Sequence, residues 1–397
     1  MVKPEEVWMN SSVLDAIDGM IEDQIKQQKF PGAVLIVGRF NKIVKRKAYG
    51  KRSLKPTEED MTVDTIFDMA SVSKPVGTTS MAMKLLENGK LNVTDFVNES
   101  LKNFSKWNKE KVQILHLLTH TSGLPDYAQP ADVNKSYPTL EAYDAAIEYI
   151  SNDTQLYPEG TGYTYSCLNF ISLMRINEFK YGDTGDKFLR ENVFEPLKMK
   201  DTTWFVSEDQ RRRTAPTEMK PDNSSMKRGD VHDPLAYFYL SNGKKEHCPG
   251  NAGLFSTAND LSLYVRMLLN EGSFQGAKIF QPSTVNDLIL KKQLSPNKSN
   301  PRTYGWAISA SCPLSTLLNN YEGFEIVYHT GYTGTRVWMD KASRAFFILL
   351  TNRVHIPGGE AMTVFYRTAD LVLRSLDIYK NYFVAHPICE NETSLHH

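Results

Sequence analysis

The sequence predicts an α/β protein, of the α+β kind in the order of its elements: one α/β lobe assembled from both ends of the chain, with a helical lobe inserted between them. Three observations predict it. Strand-like runs cluster near the two ends, residues 71 to about 230 read as helices and loops, and an amphipathic helix stands at each end of the pattern. The expected division is a single domain over 1–397, with the α/β lobe from about 1–70 and 300–397 and the helical lobe from about 71–300. A cleft between the lobes is the expected place for a site.

The elements follow in order. Residues 12 to 29 repeat Val13, Ile17, Met20, Ile21 and Ile25 at helical spacing until Pro31-Gly32 ends the run. Residues 33–38 form an apolar run and 43–50 a mixed one, with Asn41 between them, which predicts a hairpin. Helical patterns follow at 114–118, 140–150, 170–179 and 258–269. Short strands are predicted at 305–309, 325–329, 335–340 and 345–352, and a helix over 360–376 closes the pattern.

Composition narrows the function classes. Hydrophobic residues make up 41% and charged residues 23%, as in an ordinary globular protein with a sizeable core. Lys plus Arg and Asp plus Glu both total 46, so no basic field marks nucleic acid or an anionic membrane as a partner. Cys167, Cys248, Cys312 and Cys389 are scattered and form no Cys-x-x-Cys pair, which signals neither a zinc site nor a disulfide framework. The first thirty residues are charged and mixed, without the apolar core of a signal peptide, and no run approaches the ~18 apolar residues of a membrane span. A cytoplasmic location is expected.

Ser71-Val72-Ser73-Lys74 carries the chemistry. Residues three apart on a helix share a face, so a hydroxyl and an amine one turn apart form a nucleophile beside a base. The same spacing recurs at Ser224/Lys227, Ser241/Lys244 and Ser295/Lys298, in polar stretches that read as loops. Only Ser71 opens an amphipathic helix, with Pro75 in its first turn and Gly89 just past its end.

Two later segments complete a constellation. Tyr165 lies in a Gly/Thr-rich loop leading into a helix that begins near Asn169, and its phenol is a candidate proton carrier. Because a phenol ionises near pH ~10, it serves as a base at neutral pH only if a cation such as Lys74 stabilises the phenolate. Further on, Tyr328-His329-Thr330-Gly331-Tyr332-Thr333-Gly334 ends one strand and turns into the next. Its glycines permit close approach of a ligand to the backbone, His329 reads as a charge donor to the substrate, and the amides of Ser71 and Tyr332 form a candidate oxyanion pair. His116 and His120 are four apart on a helix, but no catalytic Glu accompanies them, and a structural role is the reading for both. Arg336 reads as a solvent-facing strand arginine, with substrate carboxylate binding as its alternative.

In this order the three segments resemble the serine β-lactamase and penicillin-binding protein superfamily, in the class C β-lactamase-like branch that holds esterases, D-aminopeptidases and DD-peptidases. Connecting segments resemble it too: Pro31-Gly32-Ala33, 117–125, 194–199, 253–257 and 349–353. The resemblance spans roughly residues 12 to 376. It implies a β-lactamase/transpeptidase-like fold, with an antiparallel sheet flanked by the terminal helices.

It also implies a covalent mechanism with no metal or cofactor. Ser71 attacks a carbonyl, Lys74 and Tyr165 move protons, His329, Thr330, Gly331 and Tyr332 border the substrate, and water hydrolyses the acyl-enzyme. The implied partners are small: an ester, an amide or a short peptide.

Two departures shape the expectation. Cys167 stands where the family's Tyr-x-Asn motif has asparagine, and a thiol lacks the donors and acceptor of a carboxamide. Whether Asn169 reaches the site instead is left open by the sequence. His329 stands where β-lactamases most often have lysine, as in DD-peptidase or aminopeptidase relatives. The expected activity is therefore that of a carboxylesterase-like serine hydrolase. The alternatives are a D-amino-acid peptidase, DD-peptidase or weak β-lactamase, and a catalytically inactive scaffold of the same fold. Oligomeric state and substrate are not legible.

Overall fold

A computed structural model describes residues 1–220, 222–241, 247–293, 301–308 and 326–377. Cys312 and Cys389 lie outside the described residues, as do parts of the strands expected at 305–309 and 325–329.

In chain order the strands are β1 (Gly32–Arg39), β2 (Lys42–Ser53), β3 (Glu59–Asp60), β4 (Phe67–Asp68), β5 (Phe255–Ser256), β6 (Ser273–Phe274), β7 (Ala277–Lys278), β8 (Ala307–Ile308), β9 (Ile326–Gly331), β10 (Thr335–Asp340) and β11 (Ala345–Thr351). Seven of them form one antiparallel sheet in the order β3-β2-β1-β11-β10-β9-β8. The expected sheet built from both chain ends is therefore present, with β1 lying against β11 so that Leu35 faces Leu349 and Val37 faces Phe347. Pairs β4/β5 and β6/β7 stand apart from it.

Every residue of β1, β10 and β11 is buried. Alternate side chains leave a strand on opposite faces, so both faces of the sheet are covered. Ala33, Leu35, Val37, Phe347 and Leu349 pack under the helices Ser11–Lys26 and Met362–Arg374. Val34, Ile36, Phe346, Ile348 and Leu350 join the larger core that the remaining helices share. The helix Ala258–Leu269 lies against β1 and β11 on this second face, although its sequence falls within the stretch expected to form the helical lobe. Among the described residues no helix is long and apolar enough to cross a membrane.

Arg336 corrects the sequence reading. It is 4% exposed, with its guanidinium 5.3 Å over the Phe365 ring and Nη2 2.8 Å from Met362 Sδ. Burial lowers its pKa to about 10. A strand covered on both faces has no solvent side to offer an arginine.

Candidate active site

Ser71 sits in a short 3-10 turn, Ala70–Val72, that is fastened on three sides. Asp68 Oδ1 accepts the Ala70 amide at 2.8 Å and holds that residue at φ +45°, a left-handed conformation rare outside glycine. The Met69 amide donates to the Leu254 carbonyl at 2.9 Å, while Ser73 Oγ donates to the Ala70 carbonyl at 2.6 Å and accepts the Leu254 amide at 3.0 Å. Thr333 Oγ1 donates to the Asp68 carbonyl at 2.7 Å and Thr335 Oγ1 to that of Met69 at 3.0 Å, which binds the β9–β10 turn to the same segment.

The helix expected from Ser71 is not regular at its start. A π-helical stretch, Lys74–Thr79, precedes the α-helix Ser80–Glu87. Pro75 has no N–H to return to the turn before it, so the first turn is free to widen.

The three expected catalytic side chains are brought together here. Lys74 is wholly buried, and its Nζ donates to Ser71 Oγ at 3.1 Å, to Cys167 Sγ at 3.5 Å and to the Asn251 carbonyl at 2.8 Å. Three N–H donors thus meet three acceptors. Burial alone would pull the lysine down, but Cys167 and Tyr165 outweigh it and hold the pKa above the ordinary lysine value. Lys74 Nζ lies 5.0 Å from the centre of the Tyr165 ring. Ser71 and Tyr165 are part-exposed, so the nucleophile is open while its partner is dry.

Cys167 begins the helix Cys167–Tyr181, and burial pushes its thiol pKa up. It offers Lys74 a neutral, weak acceptor. Asn169 does not compensate: its Oδ1 accepts the Ser122 hydroxyl and its Nδ2 lies 3.3 Å from His120 Nδ1.

His329 is 3% exposed, not a surface histidine. Burial, with Arg302 and Lys74 nearby, holds its pKa well below the usual value, so at neutral pH it carries no charge. The charge-donor role expected for it is thereby corrected. Its Nδ1 faces the Thr330 carbonyl at 3.0 Å, and its buried Nε2 has no hydrogen-bond partner. A Cβ on Gly331 would collide with the Met69 carbonyl and the Thr335 hydroxyl, so only glycine lets β9 approach the Ser71 turn this closely. Tyr332 is 65% exposed, its ring stacked on His232 at 5.3 Å with the Arg353 guanidinium 4.4 Å from its centre. The amides of Ser71 and Tyr332 donate to no acceptor among the described residues.

Sequence reasoning did not mark Arg302 or Asn251, and it gave His120 a structural role only. His120 accepts the Ser166 amide at Nδ1 (3.0 Å) and lies 4.5 Å from the Tyr165 ring, so it positions the phenol. Arg302 donates to Tyr163 and lies 5.4 Å from the Tyr165 ring. Asn251 supplies a backbone carbonyl, and its Nδ2 donates to Asp233 Oδ1 at 3.2 Å. A carbonyl belongs to every residue type, so nothing in the sequence could have marked Asn251. His116 accepts the Gln113 amide at its helix start, as a structural histidine would.

A family model described as beta-lactamase matches residues 17–370. The chain is 29% identical over 386 residues to an N-acetylmuramyl-L-alanine amidase of Bacillus subtilis (strain 168), covering 90% of this chain and 85% of the amidase. Its fold superposes on EstCE1, a hydrolase with promiscuous acyltransferase activity, with a TM-score of 0.74 at 20% identity, covering 91% and 98% of the two chains. It also superposes on a beta-lactamase/D-alanine carboxypeptidase from Pseudomonas syringae, with a TM-score of 0.67 at 18% identity, covering 89% and 99%.

Proposed function

The chain belongs to the beta-lactamase family of hydrolases, and from that premise we propose that it cleaves esters or small amides through an acyl-enzyme on Ser71. One observation carries the reading: a wholly buried lysine donates at 3.1 Å to a part-exposed serine hydroxyl. With all three donors of Lys74 engaged, the ammonium stabilises an alkoxide on Ser71 and leaves proton acceptance to Tyr165. Ser71 Oγ forms a bond to the substrate carbonyl carbon as its proton passes to Tyr165 in its phenolate form, the form in which a phenol acts as base. The carbonyl oxygen gains negative charge, which the amides of Ser71 and Tyr332 receive. Tyr165 then returns the proton to the leaving oxygen or nitrogen, and the same route run with water releases the acid.

Cys167 and the neutral His329 set the substrate class. A β-lactam's amide side chain finds no carboxamide at 167 and its carboxylate no charged histidine at 329, so esters and small amides are preferred. D-amino-acid peptide cleavage is the second reading, favoured by the likeness to a putative D-alanyl-D-alanine carboxypeptidase of Escherichia coli O157:H7 and by His329-Thr330-Gly331.

A panel of p-nitrophenyl esters, D-amino-acid peptides and β-lactams, run on wild type and Ser71→Ala, tests the proposal. Ester turnover that disappears with Ser71 is expected. Peptide turnover exceeding ester turnover would promote the second reading. A folded protein that neither turns over nor takes up a fluorophosphonate would leave only an inactive scaffold.

A further inference from the structure

Lys74 meets a thiol where a carboxamide would have held it, and the polar support arrives from elsewhere in the chain. We propose that Asn251, anchored by Asp233, is the positioning element that replaces that carboxamide and keeps Lys74 directed at Ser71. The inference rests on the acyl-enzyme reading above.

The Asn251 carbonyl makes the shortest of the three contacts to Lys74 Nζ, 2.8 Å against 3.1 and 3.5 Å. That carbonyl needs an anchor. It lies between Gly250 at φ +86° and Gly253 at φ +93°, and a backbone with glycines at both ends is pliable. The Gly250 carbonyl is held by Thr78 Oγ1 at 2.7 Å and the Ala252 carbonyl by Trp204 Nε1 at 3.3 Å. Asn251 itself is held through its side chain, Nδ2 to Asp233 Oδ1. Asp233 is fixed in turn by the Ala236 amide at 2.8 Å and the Tyr127 hydroxyl at 3.4 Å, and Tyr127 accepts the Leu235 amide at 2.8 Å. The Asn251 side chain is wholly buried, it also faces the Cys167 thiol, and its Oδ1 has no hydrogen-bond partner among the described residues.

The charges around the ammonium agree with the role. Cys167 and Tyr165 face Lys74 from the helix Cys167–Tyr181 and the loop before it, Asp233 from the loop before the helix Pro234–Ser241, His120 from the end of the helix Ile114–Thr119 and His329 from β9. The thiol is held protonated and both histidines neutral by burial, with Arg302 adding to the effect on the histidines. Asp233 is the carboxylate of this set, and its charge raises the lysine pKa.

The test reads the second-order rate constant for fluorophosphonate labelling of Ser71 against pH, with thermal midpoints recorded for every variant. Asn251→Ala is expected to slow labelling by roughly 10²-fold, the scale on which small misplacements act. Cys167→Asn added to it is expected to recover at least about tenfold of that loss, because the carboxamide returns at the position facing Lys74. Asp233→Asn, nearly isosteric, is expected to move the alkaline limb down as the ammonium loses its neighbouring charge.

A purely structural role would lower the midpoints, leave the limb in place and show no rescue, and that result overturns the proposal. Should Asn251→Ala fail to fold, the slower labelling of Asp233→Asn and its recovery on adding Cys167→Asn decide instead. Wild type that resists labelling overturns the acyl-enzyme reading and this inference with it; labelled wild type with additive variants and an unmoved limb overturns this inference only.

Discussion

On the face of the sheet that the helices Ser11–Lys26 and Met362–Arg374 cover, the core is aliphatic and aromatic, with Phe347 stacked on Trp338 at 5.2 Å and Arg336 Nε the unpaired polar atom beside Phe365. The opposite face also holds a large apolar core, yet His120 Nε2, His329 Nε2, Arg302 Nη1, Trp306 Nε1 and Asn251 Oδ1 are buried there without partners. Each such atom costs roughly 1–3 kcal/mol. Of these, His120 and Arg302 adjoin the Tyr165 ring and Asn251 adjoins Lys74, which separates a face that maintains the fold from a face that also carries the site. The same covalent sheet serves both because alternate residues of one strand point to opposite sides.

Substitutions on the two faces should therefore fail differently. Lys74→Met is expected to have the largest effect, a loss of about 10⁴-fold in Ser71 labelling, or about 5.4 kcal/mol of activation free energy. Labelling at a wild-type rate would dissolve the distinction. On the other face, Phe347→Ala removes a side chain with no exposed surface and is expected to cost about 3–5 kcal/mol in chemical denaturation. Its folded fraction should keep the wild-type pH dependence of labelling; a shifted profile would show the faces to be coupled. Gly331→Ala probes the seam between them. The added methyl meets the Met69 carbonyl and the Thr335 hydroxyl, and overpacking of this kind costs about 1–3 kcal/mol. Both labelling rate and thermal midpoint should fall, whereas an unchanged labelling rate would mean that β9 does not position the site.

The comparison also explains what the sequence disclosed. The sheet and its covering helices are legible because their signal is periodic: residues 335–340 and 258–269 are expected as a strand and a helix, and the structure has them with those bounds. Ser71 and Lys74 were legible because their contact is three residues long. Asn251 was not, since 177 residues separate it from Lys74 and it acts through its backbone. Two-residue strands such as β4 and β5 are too short to show a period of two. The burial of His329 and Arg336 escaped for a third reason: alternation says which residues share a face, but not that both faces are covered.

The smallest expected effect is the most selective. The sequence reads His329 as a charge donor, whereas the structure buries the ring and burial holds its pKa well below the usual value. The unfolded chain binds a proton there near pH 6.5, whereas the folded chain resists it until well below that value. The unfolded state therefore binds more protons across that window, and stability falls as pH drops from about 6.5 toward the folded-state pKa. Between pH 7.5 and 5.5 one such histidine accounts for a loss of stability on the order of 1 kcal/mol. His329→Gln removes that proton uptake, so its loss between the two pH values should be smaller than wild type's by about 1 kcal/mol. Urea denaturation of both proteins at each pH measures it, with His120, His116 and His355 common to both and cancelling in the difference. Equal losses would mean that His329 takes up its proton in the folded protein as readily as in the unfolded chain. The ring would then be a cation in mildly acidic solution, the charged substrate contact would be restored, and the chemical face would titrate where the structure has it silent.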